Sequence, residues 1–128
     1  MNERIVSSEL APPPGYSHVA VASGRLVFAA GAVPLDSQGS VVGSGDRAAQ
    51  MQQALANLRV QLDAGGARPA DVVKTTVYVV ATTMEELDVV WDVFTRSEFA
   101  GAPSTLLGVT VLGYPGQLVE VEAVAMLE

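Results

Sequence analysis

No cysteine occurs in this 128-residue chain, so disulfides, thiolate nucleophiles and cysteine-ligated metals are excluded. Histidine is nearly absent too: the lone His18 cannot build a multi-histidine metal site. Nothing in the residue pattern implies a metal or a cofactor. Charge is sparse and lopsided, with seven Lys/Arg against fourteen Asp/Glu and a formal charge of −7. A field of that sign repels phosphate backbones, so without a basic patch nucleic acid is not an expected partner. Residues 97 to 128 contain neither Arg nor Lys. No apolar run approaches membrane-spanning length. The first ten residues lack the basic-then-apolar pattern of a signal peptide. The expectation is a cytoplasmic protein with no membrane partner.

What the chain has is small apolar side chains. Apolar residues make up 49 % of it, many of them Val and Ala. The length predicts a single domain, residues 1–128, large enough to bury a real core.

Strands dominate the first third. Residues 4–7 read as a short edge strand, followed by the rigid Ala11-Pro12-Pro13-Pro14-Gly15 segment. Residues 17–22 and 26–30 are strand-like, and Ser23-Gly24 between them predicts a hairpin. Residues 35–45 read as a loop. Ala48, Met51, Leu55, Leu58 and Leu62 then recur at helical spacing, with Ser44 or Asp46 as the cap and Gly65-Gly66 as the stop. Residues 72–80 are almost all β-branched or aromatic, hence a strand. Two overlapping capping boxes, Thr82 with Glu85 and Thr83 with Glu86, open a second helix bearing Leu87, Val90, Trp91 and Phe94 on one face. Residues 104–111 and 118–127 are the last strands. The final one alternates, with Val119, Val121, Ala123, Ala125 and Leu127 on one side and Leu118, Glu120, Glu122, Val124 and Met126 on the other.

This order predicts an α+β fold: a single mixed β-sheet with two helices on one face. Two helices cover one face only. The strands at 72–80 and 118–127 carry apolar residues on both, so the second face requires another cover, most economically a second copy of the chain.

Four stretches, in order and spanning nearly the whole chain, resemble the RidA/YjgF family of reactive-intermediate deaminases, also called endoribonuclease L-PSP. They are Gly15-Tyr16-Ser17 leading into the run from Leu26 to Asp36; Gln50 to Leu58; Leu62 to Ala67 continuing through Asp71 to Tyr78; and Pro103-Ser104-Thr105 with Leu118 to Ala125. The resemblance implies a chorismate-mutase-like fold and a homotrimer with small-molecule clefts between subunits. It also implies hydrolysis of 2-imino or enamino acids to 2-oxo acids and ammonia. By the same resemblance Glu120 is the candidate catalytic carboxylate, orienting water or relaying a proton. Tyr16 borders the cleft, Gly31 lets ligand approach the backbone, and Pro103, Ser104 and Thr105 line the ligand site.

One departure stands out. The family's carboxylate-clamping arginine falls on Pro103, which offers neither charge nor a side-chain donor. The expected function is therefore that of a divergent Rid-family protein. It binds or hydrolyses a small imine- or enamine-type metabolite, with weak or no standard 2-imino acid deaminase activity. The alternative is a non-catalytic trimer that binds a small ligand or a partner protein.

Each candidate also has a plainer structural reading. Glu120 and Glu122 share a strand face and could be a solvated pair or one salt-bridged with Lys74. Tyr16 could anchor a strand end. Ser104 and Thr105 could be ordinary strand-start residues. His18 and Trp91 could serve packing, and Gln50 and Asn57 could satisfy local polar groups. Arg25 and Lys74 are the only cations on expected strands, and either could replace the missing arginine if it reached the cleft.

Overall fold

The computed structural model of the protein describes residues 2–128. In chain order the elements are β1 (Glu3–Ile5), β2 (Val19–Val21), β3 (Arg25–Ala32), α1 (Arg47–Ala64), a short 3-10 turn (Pro69–Asp71), β4 (Val72–Val80), α2 (Met84–Thr95), β5 (Ser104–Val109) and β6 (Val119–Leu127). Four strands form a mixed sheet in the order β3-β6-β4-β5, with β4 and β5 parallel and the other pairs antiparallel. Both helices pack on one face of it.

The expected α+β mixed sheet is present, with two corrections. The sheet is not single: β1 and β2 form a separate two-stranded ribbon. The hairpin expected around Ser23-Gly24 does not form either, because β2 pairs with β1 and β3 pairs with β6. Gly24 shows why. Its φ is +137°, and a Cβ there would lie 1.7 Å from the Leu127 carbonyl oxygen. The chain turns against the end of β6 instead of folding back on β2. The nine-residue β6 offers β3 a longer ladder, with one side in the core, whereas Val19 and Val21 of β2 stay exposed.

The alternation of β6 is observed as expected. Val119, Val121, Ala123 and Ala125 are buried, together with Thr75, Val77 and Val79 of β4, beneath Met51, Leu55, Leu58 and Leu62 of α1 and Val90 and Phe94 of α2. Asp46, one of the two expected caps, accepts from the Ala49 N–H at 3.0 Å. Of the two capping boxes, Thr83 with Glu86 is used. Thr82 also turns to Glu86, with its backbone N–H at 3.1 Å, and not to Glu85.

Glu86 holds one junction of the fold. Its carboxyl lies below the usual carboxylate range, first because the Thr82 N–H donates to it and further through the Thr83 hydroxyl and the Arg47 guanidinium. Arg47 pairs with Glu86 at 2.6 Å and donates through Nε and Nη2 to the Val80 carbonyl, tying α1, β4 and α2 together.

Gln50 is fully buried and holds a second junction. Its Nε2 donates to the carbonyls of Gly43 and Gly116, and its Oε1 accepts from the Leu118 N–H at 2.7 Å. It therefore fixes the entry into β6 from 68 residues away. Gln50→Leu would bury the unpaired Leu118 N–H in an apolar pocket. The expected loss is about 2–4 kcal/mol, the cost of leaving such groups unsatisfied, read as a shift in the urea midpoint at unchanged slope. A loss below about 1 kcal/mol would mean that the contact is dispensable.

Candidate functional site

The helix-free face of the sheet carries Glu120 and Thr105 among the candidate residues, and the strand register shows how. Glu120 lies opposite Tyr78, Glu122 opposite Thr76, and Thr76 opposite Thr105. Farther along, Phe28 lies opposite Val124 and Leu26 opposite Met126. Phe28 is 71 % exposed and Leu26 53 %, so this face carries a large apolar patch beside its polar groups.

Glu120 and Gly31 come together. The pairing of β3 with β6 shifts between Ala29 and Ala32, and this bulge presents the bare Gly31 backbone to Glu120. A Cβ on Gly31 would meet Glu120 Oε2 at 2.0 Å. The other carboxylate oxygen, Oε1, accepts from the Gln117 amide at 2.9 Å, and the same amide donates to the Val119 carbonyl. No motif in the sequence marks Gln117, which is buried two residues before β6 begins.

Glu122 has a partner, but it is not Lys74. Its carboxylate accepts a short hydrogen bond from the Tyr78 hydroxyl. That bond raises the Tyr78 pKa, with smaller contributions from partial burial and from the Glu122 and Glu120 charges.

Residues 103–105 begin β5, and they do not all face the same way. Thr75 is buried on the helix side, and its hydroxyl donates to Ser104 Oγ at 2.7 Å, so the Ser104 side chain is committed to that side. Thr105 lies on the helix-free face, where its Oγ1 accepts from Lys74 Nζ at 2.8 Å. Pro103 shares the parity of Thr105, and its carbonyl accepts from the Thr75 N–H at 3.0 Å. Extending the parallel register by one residue places Lys74 beside Pro103 on the neighbouring strand. Arg25 has the parity of Val27, which packs against the core, and it lines a separate cavity of about 540 Å³ with Arg68 and Asp71.

Tyr16 stands apart from Glu120. Its ring meets His18 and Trp91 edge-on, with centroids 6.1 and 6.3 Å away. The segment around it is stitched to the approach to β5: the Gly101 N–H donates to the Gly15 carbonyl at 2.9 Å, and Ser17 Oγ donates to the Gly101 carbonyl at 2.6 Å. Trp91 stacks on Phe94 and donates through Nε1 to the Pro14 carbonyl. His18 Nδ1 accepts from the Ser7 N–H and Nε2 bonds the Ala11 carbonyl, so the ring closes the proline-rich loop. Asn57 donates to the carbonyls of Val33 and Leu35, holding the chain just after Gly31. Among the described residues no group of His, Asp and Glu could hold a metal ion. Among the described residues no helix is long and apolar enough to cross a membrane.

This fold and face define a Rid-type protein. The endoribonuclease L-PSP family model matches residues 6–127. The crystal structure of a conserved Rid-family protein, YyfB, from Yersinia pestis superposes with a TM-score of 0.86 at 37 % identity, covering 98 % of each chain. Protein DfrA of Myxococcus xanthus is 32 % identical over 130 residues, covering 98 % of this chain and 97 % of that protein. A 2-iminobutanoate/2-iminopropanoate deaminase of Dermatophagoides farinae is 28 % identical over 130 residues, covering 98 % of each. The chain belongs to the RidA/YjgF, or endoribonuclease L-PSP, family, and its α+β architecture is the chorismate-mutase-like fold of that family.

Two outcomes test this geometry. Gly31→Ala meets the Glu120 side chain from Oε2 back to Cγ, so it is expected to cost about 1–3 kcal/mol while swinging the carboxylate off Gln117. The Gln117 side-chain amide resonance reports that displacement; an unmoved signal would contradict the close approach. The second outcome concerns pH. The folded pKa of Tyr78 is raised, so stability from its proton is fully present below the unfolded value near 10 and is lost as pH rises through the folded value. Ultraviolet difference titration of wild type and Tyr78→Phe should show that the variant lacks the last-titrating phenol and loses less stability at alkaline pH.

Proposed function

We propose that the protein is a divergent Rid-family trimer that takes a small imine- or enamine-type metabolite into clefts between subunits. Glu120 positions water or relays a proton there, and standard 2-imino acids are poor substrates. The observation that carries this reading is the split of the candidate residues within one chain. Glu120 and position 103 are four residues apart along the strands and two strand spacings apart across the sheet, about 16 Å. That exceeds the length of any small imino acid. Glu120 of one subunit can share a small ligand with position 103 only if that position comes from a neighbour.

The exposed Leu26 and Phe28 rows support the same association, because closing three sheets around an axis removes them from water. The name of the mite relative, an iminobutanoate and iminopropanoate deaminase, supports the substrate class. The −7 charge weighs against RNA as a substrate.

Pro103 sets the limit on activity. A buried bidentate guanidinium–carboxylate contact is worth roughly 2–5 kcal/mol, so without it turnover of 2-iminobutanoate should fall ~30-fold to several thousand-fold below that of a relative carrying the arginine. The assay generates the imine in situ with an amino acid oxidase and follows 2-oxo acid release, while sedimentation gives the assembly state. Turnover equal to that of an arginine-bearing relative sinks the divergence, and a monomer sinks the shared cleft. The alternative, a non-catalytic ligand-binding trimer, would give ligand-dependent thermal shifts without product.

A further inference from the structure

Lys74 is the only lysine of the protein, and it is placed unlike any of its six arginines. Arg47, Arg59, Arg68 and Arg96 are each paired with a carboxylate. Arg4 donates to the Val72 carbonyl, and Arg25 lies on the opposite parity, beside Arg68 and Asp71. Lys74 projects from the helix-free face, and its bonding partner is a neutral hydroxyl, Thr105 Oγ1. Both glutamates of that face are engaged elsewhere, Glu122 with Tyr78 and Glu120 with Gln117. In a chain with twice as many acids as bases, an ammonium left without a carboxylate among the described residues is an unmatched charge aimed at whatever occupies the face.

We propose that Lys74, backed by Thr105, is the anion-binding point of the cleft and receives the carboxylate of a small organic acid. The proposal rests on the cleft reading above and adds the ligand's charge and its anchor. The geometry supplies two donors. Thr105 Oγ1 accepts from Lys74, so its own O–H is free to donate, and the ammonium keeps further N–H bonds beside it. One carboxylate can bridge the pair at 2.8 Å donor spacing. Pro103 keeps the place open. It is the cross-strand neighbour of Lys74, about 4.8 Å away, and its short ring puts no competing charge or donor there. An ammonium is a monodentate point charge, not a planar fork, so it holds a carboxylate less tightly than a guanidinium does. This agrees with poor use of standard imino acids.

The test uses 2-oxobutanoate, with butanone as its uncharged counterpart, on the assembled protein. Reductive methylation with isotope-labelled formaldehyde tags Lys74 and the chain's α-amine only, and it keeps the charge. Saturable movement of the Lys74 tag and the Thr105 amide with 2-oxobutanoate, but not with butanone, is the expected result. Lys74→Met should weaken binding about tenfold or more, Lys74→Arg should retain it, and Thr105→Val should weaken it less. Wild-type affinity in Lys74→Met, no binding of 2-oxobutanoate at all, or equal response to butanone would each overturn the proposal. The two readings fail separately. If Lys74→Met still binds and the Gly31 and Glu120 amides still move, the cleft stands and only the anchor is wrong. If the protein is a monomer and only the Lys74 tag responds, the anchor stands and the shared cleft is wrong.

Discussion

The structure depends on the two-sidedness of β6. This strand lies inside the sheet, paired with β3 on one edge and β4 on the other, and its alternating side chains face two different environments. Val119, Val121, Ala123 and Ala125 enter the helix-covered core, while Glu120 and Glu122 stand on the opposite face. A slip of one residue would drive both carboxylates into an apolar core and expose the valines. That penalty locks the register of the sheet. The register in turn decides which groups meet: Glu122 with Tyr78, Glu120 with the Gly31 bulge, and Lys74 with the start of β5.

Helix α1 does more than cover the core. From its first turns Arg47 fixes the end of β4 and the cap of α2, and Gln50 fixes the loop that enters β6. Farther along, Asn57 holds the segment after Gly31, and Gln61 donates to the Ala30 carbonyl just before it. Gly31 thus sits between two points of the chain, Ala30 and the stretch after β3, that α1 pins by side-chain bonds to their carbonyls. Every buried side-chain polar atom among the described residues has a partner, so this rigidity carries no desolvation debt. The bulge that brings Gly31 to Glu120 is held from outside the sheet, which explains how a backbone irregularity can be a fixed feature of the face.

Much of this was legible from local pattern. The helical spacing from Met51 to Leu62, the β-branched run at 72–80 and the alternation of the last strand each state their element, because one face of each is buried in the chain itself. The ordered motifs made the family legible too. What pattern could not show was pairing between distant segments. Ser23-Gly24 has hairpin composition, yet the partner of β3 was decided by the longer ladder available at β6. Side-chain direction was equally hidden. Ser104 and Thr105 are neighbours in sequence but face opposite sides, and only the buried Thr75 hydroxyl shows which is which. Gln117 carries no motif at all; its bond to Glu120 is local, three residues along, but the entry into β6 that aims it is held by Gln50 from far away in the chain.

The helix-free face divides into two chemical ends. At one, Glu120 lies with Gln117 and Gly31; at the other, Lys74 lies with Thr105 and Pro103; Glu122, bonded to Tyr78, stands between them in the row of Thr76 and Thr105. Strand geometry keeps Glu120 and Pro103 too far apart for one small molecule within a chain, so any chemistry that used both would belong to an assembly. Position 103 then has two possible duties, gripping ligand or starting β5, and proline can perform only the second. Its carbonyl is tied to Thr75, its φ is fixed by its ring, and it has no donor. A guanidinium there would read the plane of a carboxylate, whereas the ammonium next door reads only its charge. Orientation of the ligand would then fall to the shape of the cleft and to the Gly31–Glu120 end. On the proposed reading, specificity would accordingly be a property of the walls more than of the anchor.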